Sequence, residues 1–354
     1  GTVARWPLGM GLAFWRYLWR TMPLHRSDED GSPAEDLPPP LPGHLVDERF
    51  QLPEDGSGPL FRRRYRVRIE GGRLTPEQLT AAVRRMGLEP VLYPSATARH
   101  GFLSGSDEMR AADINAAFAD DSIQGIVTTR GGYGFHRILP LLDWKTIKKH
   151  PKFFGGYSDV TAMLTALNQI CGMEAYHMPM VGAWGGESTG EYTLDYVRAT
   201  LFGAPMDYEN PQDQPARKTL VSGKAKGRLC GGNLSLLAAS LGTPYEIDTK
   251  GKLLFMEEIN EPPYKVDGMI TNLRNAGKLD DAAGIILGAF TSCNAKEEGD
   301  MDLDQVFAEL IVPAGKPTFQ GVTCGHCEPT MALPMGRLFK MDADECTFAP
   351  ARKD

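Results

Sequence analysis

The sequence predicts an α/β protein in two units: a parallel-sheet unit covered by helices, then a smaller unit of mixed β and α structure. Three observations carry this. From residue 75 onward, helical stretches alternate with short apolar runs, the pattern of strands joined by helical crossovers. A polar stretch at 203–223, rich in Pro, Asp and Gln, interrupts the alternation and reads as a connection between units. A second set of apolar runs and helical stretches follows it. The 354 residues hold one large or two ordinary domains of roughly 100–200 residues each.

The elements can be justified in chain order. The stretch from Arg5 to Trp15 faintly resembles a signal sequence, but Arg16 and Arg20 break it short of the about 20 apolar residues that a bilayer crossing needs. No small-residue cleavage site follows. It reads as an amphipathic helix with Trp6, Met10, Phe14 and Tyr17 along one side. Residues 27–59 are acidic and rich in Gly and Pro, with Pro38, Pro39, Pro40 and Pro42 clustered, the composition of a linker or extended surface chain. Arg62, Arg63 and Arg64 lead into Tyr65-Arg66-Val67-Arg68-Ile69, whose alternation predicts an edge strand with one solvated face. Helices at 75–86, 108–118 and 161–170, with apolar runs at 90–93, 125–129 and 153–156, build the first unit. The second has strands at 253–256 and 284–288 and helices at 266–276 and 303–310. The boundaries are therefore 1–60 for an extension and linker, 61–203 for the first unit, 204–224 for the connection and 225–354 for the C-terminal unit.

Composition excludes several function classes. With 42% hydrophobic and 23% charged residues, the chain is neither disordered, collagenous nor membrane-spanning. Its 38 basic and 45 acidic residues give a net charge of −7, a field that repels phosphate backbones and anionic lipid. Nucleic acid and membrane are not expected partners. Six cysteines in this length are too few for a disulfide framework, so a reducing compartment is expected.

Four segments could carry chemistry. In Gly156-Tyr157-Ser158-Asp159 a serine stands between a strand and a helix, where a tight turn can present a nucleophile and, through the next amide, half of an oxyanion hole. Val160 replaces the second glycine of a full nucleophile elbow, and a helix N-cap by Ser158 or Asp159 is the alternative. Arg130-Gly131-Gly132-Tyr133-Gly134 follows another strand. It lies at the carboxyl edge where parallel sheets bind ligands, and it lacks the spacing of a phosphate or dinucleotide loop. Glu257, Glu258 and Glu261 end an apolar strand, and one of them could orient a histidine. Cys324-Gly325-His326-Cys327 has redox or half-zinc spacing but lacks the complement that either needs. His177, after an apolar stretch, is a pocket-lining or a structural histidine.

Together these segments resemble the LD-carboxypeptidase family of serine peptidases, which includes murein tetrapeptide carboxypeptidases and microcin C immunity peptidases. The matching stretches are 99–118, 130–134 with 137–143, 155–164, Gly231-Gly232-Asn233-Leu234-Ser235, 241–245, 254–267, 284–290 and Gly325-His326 with 333–336. The resemblance implies a flavodoxin-like N-terminal domain and a C-terminal domain that supplies part of an active site between them. It implies Ser158 as nucleophile, His326 as base and Glu257 as the acid that orients it, with the amides of Asp159, Gly131 and Gly132 as oxyanion hole. No metal or cofactor is implied. The implied substrate is a murein tetrapeptide that loses its terminal D-alanine during peptidoglycan recycling, and the implied protein is a cytoplasmic homodimer. Gly268 stands where many members carry Arg. Cys324 and Cys327 flank the histidine, and oxidation between them would strain it. The alternatives are an immunity-type peptidase that cleaves an aminoacyl-nucleotide amide, for which Trp184 is a candidate base-stacking face, and a non-catalytic murein-peptide-binding protein.

Overall fold

The computed structural model describes residues 75–185, 189–297 and 299–351. The amphipathic helix, the proline-rich linker and the edge strand at 65–69 lie outside the described residues. Helix α1 (Pro76–Arg85) begins with a capping box in which Thr75 accepts from the Gln78 amide and Gln78 accepts from the Thr75 amide, so two otherwise unpaired donors are satisfied. Helix α2 (Asp107–Ala119) is capped by Ser106. Strand β1 (Gly125–Val127), helix α3 (Trp144–Lys149), strand β2 (Phe153–Gly156), helix α4 (Thr161–Ala166), strand β3 (Ala175–His177) and helix α5 (Glu191–Phe202) complete the first unit. A π-helical turn at Leu167–Cys171 prolongs α4.

The remaining strands are β4 (Lys218–Val221), β5 (Lys224–Asn233), β6 (Leu253–Ile259), β7 (Gly284–Thr291), β8 (Thr318–Gln320), β9 (Leu333–Met335), β10 (Leu338–Asp342) and β11 (Thr347–Pro350). Helices α6 (Leu234–Ala239), α7 (Pro263–Asn275) and α8 (Leu303–Leu310) lie among them. The first sheet has the order β1-β2-β3-β9. Its first three strands are parallel and β9 is antiparallel. The second has the order β11-β10-β5-β6-β7-β8-β4, with β5 to β8 parallel and the flanking strands antiparallel. The α/β class with a parallel first sheet and a mixed second one is thus what the chain adopts. β6 is buried from Leu253 to Glu258, as befits a strand covered on both faces.

Two details differ from expectation. β4 falls inside the stretch read as a connection and forms an edge of the second sheet. Residues 90–93 form no strand and pair with none among the described residues, and Val91 and Leu92 are exposed. Pro90 and Pro94 bracket this run and withhold two ladder donors. A cavity of about 400 Å³, lined by Leu79, Val83, Leu92 and Ile126, lies alongside, and β1 pairs only with β2 among the described residues. The core has three parts. Phe118, Phe154 and Met163 fill the first unit and Leu254, Ile270 and Ile285 the second. A third cluster, with Leu79, Trp184, Phe255 and Phe319, spans both.

Candidate active site

Ser158 sits at the carboxyl end of β2 with φ 63°, a left-handed conformation that costs a non-glycine residue about 1–2 kcal/mol. Tyr157 before it is extended, and a 3₁₀ turn at Ser158–Val160 runs into α4. The chain therefore turns sharply at the serine, and the N-cap alternative fails because neither Ser158 nor Asp159 caps α4 by its side chain.

Asp159 is buried and accepts a hydrogen bond from the Phe135 amide at 3.0 Å. Burial pushes its carboxyl up, and the amides of Phe135 and Gly134, together with His136 and Arg110, oppose that shift. Its role is to fasten the glycine loop after β1 to the serine turn. Gly131 is thereby pressed against Ser158: a Cβ there would stand 3.0 Å from Ser158 Cβ and 3.1 Å from Ser158 Oγ. A glycine lets the backbone come this close without pushing the serine aside.

Glu257, on β6, is fully buried. Its Oε2 accepts from His326 Nδ1 at 2.7 Å and from the His326 amide at 3.1 Å. Because an ionised carboxylate only accepts, the proton of a neutral His326 ring lies on Nδ1 and Nε2 is left as a base. Gly325 has φ 122°, and a Cβ there would meet Glu257 Oε2 at 2.6 Å, so the loop closes on the carboxylate only with glycine. The Tyr157 ring lies 4.7 Å from the His326 ring, centroid to centroid, which brings the pair next to the serine turn. Among the described residues no hydrogen bond joins Ser158 Oγ to His326, a separation common before substrate closes a site.

The other two carboxylates have different duties. Glu258 is buried and accepts from Asn233 Nδ2, from the Ser235 amide and hydroxyl and from the Ile259 amide, which pins the turn between β5 and α6 to β6. Glu261 pairs with Lys265 at 3.1 Å. The cysteines do not form an activated pair. Cys324 Sγ donates to the Met331 carbonyl and Cys327 Sγ to that of Pro329. Burial pushes Cys327 up to about 11 and Cys324 well above the usual thiol range, the reverse of what reactivity needs. Trp184 is fully buried, with Nε1 donating to the Pro179 carbonyl, so it offers no face to a nucleobase. His177 is buried between Tyr157 and Phe255 rather than lining an open pocket. Sequence reasoning missed Thr193, Glu328 and Thr330, which hold the His326 loop to α5; only their nearness to a glycine-histidine pair could have signalled two of them.

Comparison with known proteins shows the family. Residues 70–178 match the profile of the LD-carboxypeptidase N-terminal domain and 226–341 that of the C-terminal domain. A Bacillus subtilis protein named "Probable murein peptide carboxypeptidase" is 40% identical over 276 residues, covering 77% of this chain and 86% of its own. The murein tetrapeptide carboxypeptidase of Pseudomonas aeruginosa is 28% identical over 75% of this chain and 88% of its own. Among solved structures, the muramoyltetrapeptide carboxypeptidase from Oxalobacter formigenes superposes with a TM-score of 0.65 at 27% identity, covering 76% of this chain and 92% of that one. The microcin C7 self-immunity protein MccF, bound to glutamyl sulfamoyl guanosine, gives 0.66 at 24% identity over 73% and 85% of the two chains, a likeness of fold. With both halves of the chain matched and a relative at 40% identity over most of its length, the protein belongs to the LD-carboxypeptidase family of serine-type peptidases.

Proposed function

We propose that the chain is a serine carboxypeptidase that removes the terminal D-alanine of murein tetrapeptides, with Ser158, His326 and Glu257 as its triad. The observation that carries this is the hydrogen-bonded His326–Glu257 pair whose imidazole lies against Tyr157, the residue before a serine held at positive φ. His326 Nε2 takes the Ser158 proton as Oγ attacks the carbonyl before D-alanine. Glu257 holds the ring and stabilises the imidazolium. The amides of Asp159, Gly131 and Gly132 face the developing oxyanion, and each such donor is worth about 10²–10³ in rate. His326 then protonates the leaving D-alanine nitrogen, and water, deprotonated by the same ring, hydrolyses the acyl-enzyme. The relatives' names support the substrate class, and such a reaction belongs to peptidoglycan recycling.

The test is mass spectrometry of a murein tetrapeptide incubated with the protein in EDTA, beside a folded Ser158→Ala variant. Loss of D-alanine with the wild type alone is expected. A tetrapeptide left intact by the folded wild type, with cleavage of an aminoacyl-nucleotide amide instead, would transfer the triad to the immunity-type reaction. Buried Trp184 removes that reading's one candidate for base stacking.

A further inference from the structure

The proposed triad draws its members from two sheets, so something must fix His326 relative to the first one. Residues 321–332, which carry it, form no regular element. On the side of the second sheet the loop is held by Glu257 and by the Ala289 amide, which donates to the Cys324 carbonyl at 2.9 Å. On the side of the first unit it meets the N-terminus of α5. That helix begins at Gly190, which has no side chain to cap it. The cap comes from the loop: Glu328 Oε1 accepts from the Gly190 amide at 2.8 Å and from Thr193 Oγ1 at 2.8 Å. A carboxylate is well placed at this end of a helix dipole. Thr193 Oγ1 in turn accepts from the Thr330 amide at 2.9 Å. Thr330 Oγ1 accepts from the Gly325 amide at 3.1 Å and donates to the Gly325 carbonyl at 3.2 Å. An unbroken series of hydrogen bonds thus runs from α5 to the residue beside His326, and Thr193 and Thr330 are both buried within it.

We infer that Thr193 and Glu328 are positioning residues: they clasp the His326 loop to α5 and so hold the imidazole in register with Ser158. This rests on the triad reading above. A misplacement of about 1 Å at a reacting group can cost about 10²-fold in rate, and the clasp is the hydrogen-bonded tie between the loop and α5. Its loss is expected to act on turnover rather than on substrate binding, because Thr193 is buried and Glu328 Oε1 is engaged by the Gly190 amide and Thr193.

The experiment compares Thr193→Val, which keeps the volume and removes the hydroxyl, with Thr193→Ser, which keeps the hydroxyl, and with Glu328→Ala and the Thr193→Val/Glu328→Ala double variant. Thr193→Val and Glu328→Ala should each lower kcat at least about tenfold with KM within about twofold. The double variant should lose little more than either, since both break one clasp, and Thr193→Ser should recover most of the rate. Unchanged kcat in both single variants overturns the inference, as does a Thr193→Ser variant as slow as Thr193→Val. A readout independent of turnover is the ¹⁵N spectrum of the histidine rings, where Thr193→Val should shift or broaden the His326 signals and leave those of His150 in place. If the wild type leaves the tetrapeptide intact, the functional reading fails by itself, and unchanged His326 signals in Thr193→Val then overturn the clasp.

Discussion

A methyl group on residue 131 would stand 3.0 Å from Ser158 Cβ and 3.3 Å from Met180 Cε, so its neighbours would have to give by a few tenths of an ångström. Gly131→Ala should therefore displace either the glycine loop or the serine hydroxyl, and kcat should fall about 10²-fold or more with the circular dichroism spectrum unchanged. Full activity in this variant would remove Gly131 from the oxyanion hole. His177 supports a second prediction. Burial, with His326 as a lesser cause, pushes its imidazole down to about 3, whereas an unfolded histidine titrates near 6.5. Between these values the unfolded chain binds the extra proton, so stability falls as pH drops. From pH 7.5 to pH 5 this one group should remove about 2 kcal/mol, and His177→Phe should unfold in urea with a correspondingly shallower acid dependence. Equal slopes in the two proteins would mean that His177 takes up its proton as readily in the folded state as in the unfolded one. At this scale the serine turn, the carboxylates ending β6 and the Gly325-His326 pair stood out in the sequence as candidates, and the family resemblance picked Ser158, Glu257 and His326 from among them. Thr193 and Glu328 did not stand out, because a threonine and a glutamate far apart in the chain carry no pattern until the fold joins them.

Among the elements, α7 carries a defect that its sequence shows directly. Gly268 lies inside the helix, is exposed, and would meet nothing within 4 Å if given a Cβ. Gly268→Ala should stabilise the protein by about 1 kcal/mol, seen as a rise of about 2–4 °C in Tm, with kcat unchanged. A fall in Tm would show that the helix needs the glycine for a contact made elsewhere. Helices α1 and α8 carry the same kind of local signal, a capping Thr or Asp ahead of an amphipathic run, whereas α2 has its Ser106 cap ahead of a run with little amphipathic pattern. β1, β2, β6 and β7 were legible as apolar runs, and the largely buried β2, β6 and β7 need no alternation because they are covered on both faces. Residues 90–93 resemble such a run, but an apolar tetrapeptide becomes a strand only when a neighbour accepts its backbone, and none does so among the described residues. β9 failed in the opposite sense. Leu333-Pro334-Met335 is too short and too proline-marked to read as a strand, yet β3 presents an edge on which it pairs.

That pairing decides how the whole molecule behaves. The alternation of strands and helices showed two sheets, but it could not show that the chain returns from the second sheet to the first before its last two strands. β9 completes the first sheet at β3, and Arg337, two residues beyond it, donates through Nε and Nη2 to Glu174 Oε2 at 3.0 and 2.9 Å. Asn168 Nδ2 donates to the Met335 carbonyl at 3.2 Å, and the cluster of Leu79, Trp184, Phe255 and Phe319 is common to both units. Neither unit can open without exposing core that belongs to the other. Urea unfolding should therefore be a single transition: in a variant with Trp6, Trp15 and Trp19 replaced by Phe, the fluorescence of Trp144 and Trp184, both in the first unit, should fall at the same midpoint as the circular dichroism of the whole chain. Arg337→Ala breaks a tie that is partly screened by solvent and should cost about 1–2 kcal/mol. Because the tie joins the two halves, both probes should move to lower urea together. If fluorescence alone shifted, or the two midpoints parted in the wild type, the units would be folding independently and the position of His326 relative to Ser158 would not be fixed by the shared core.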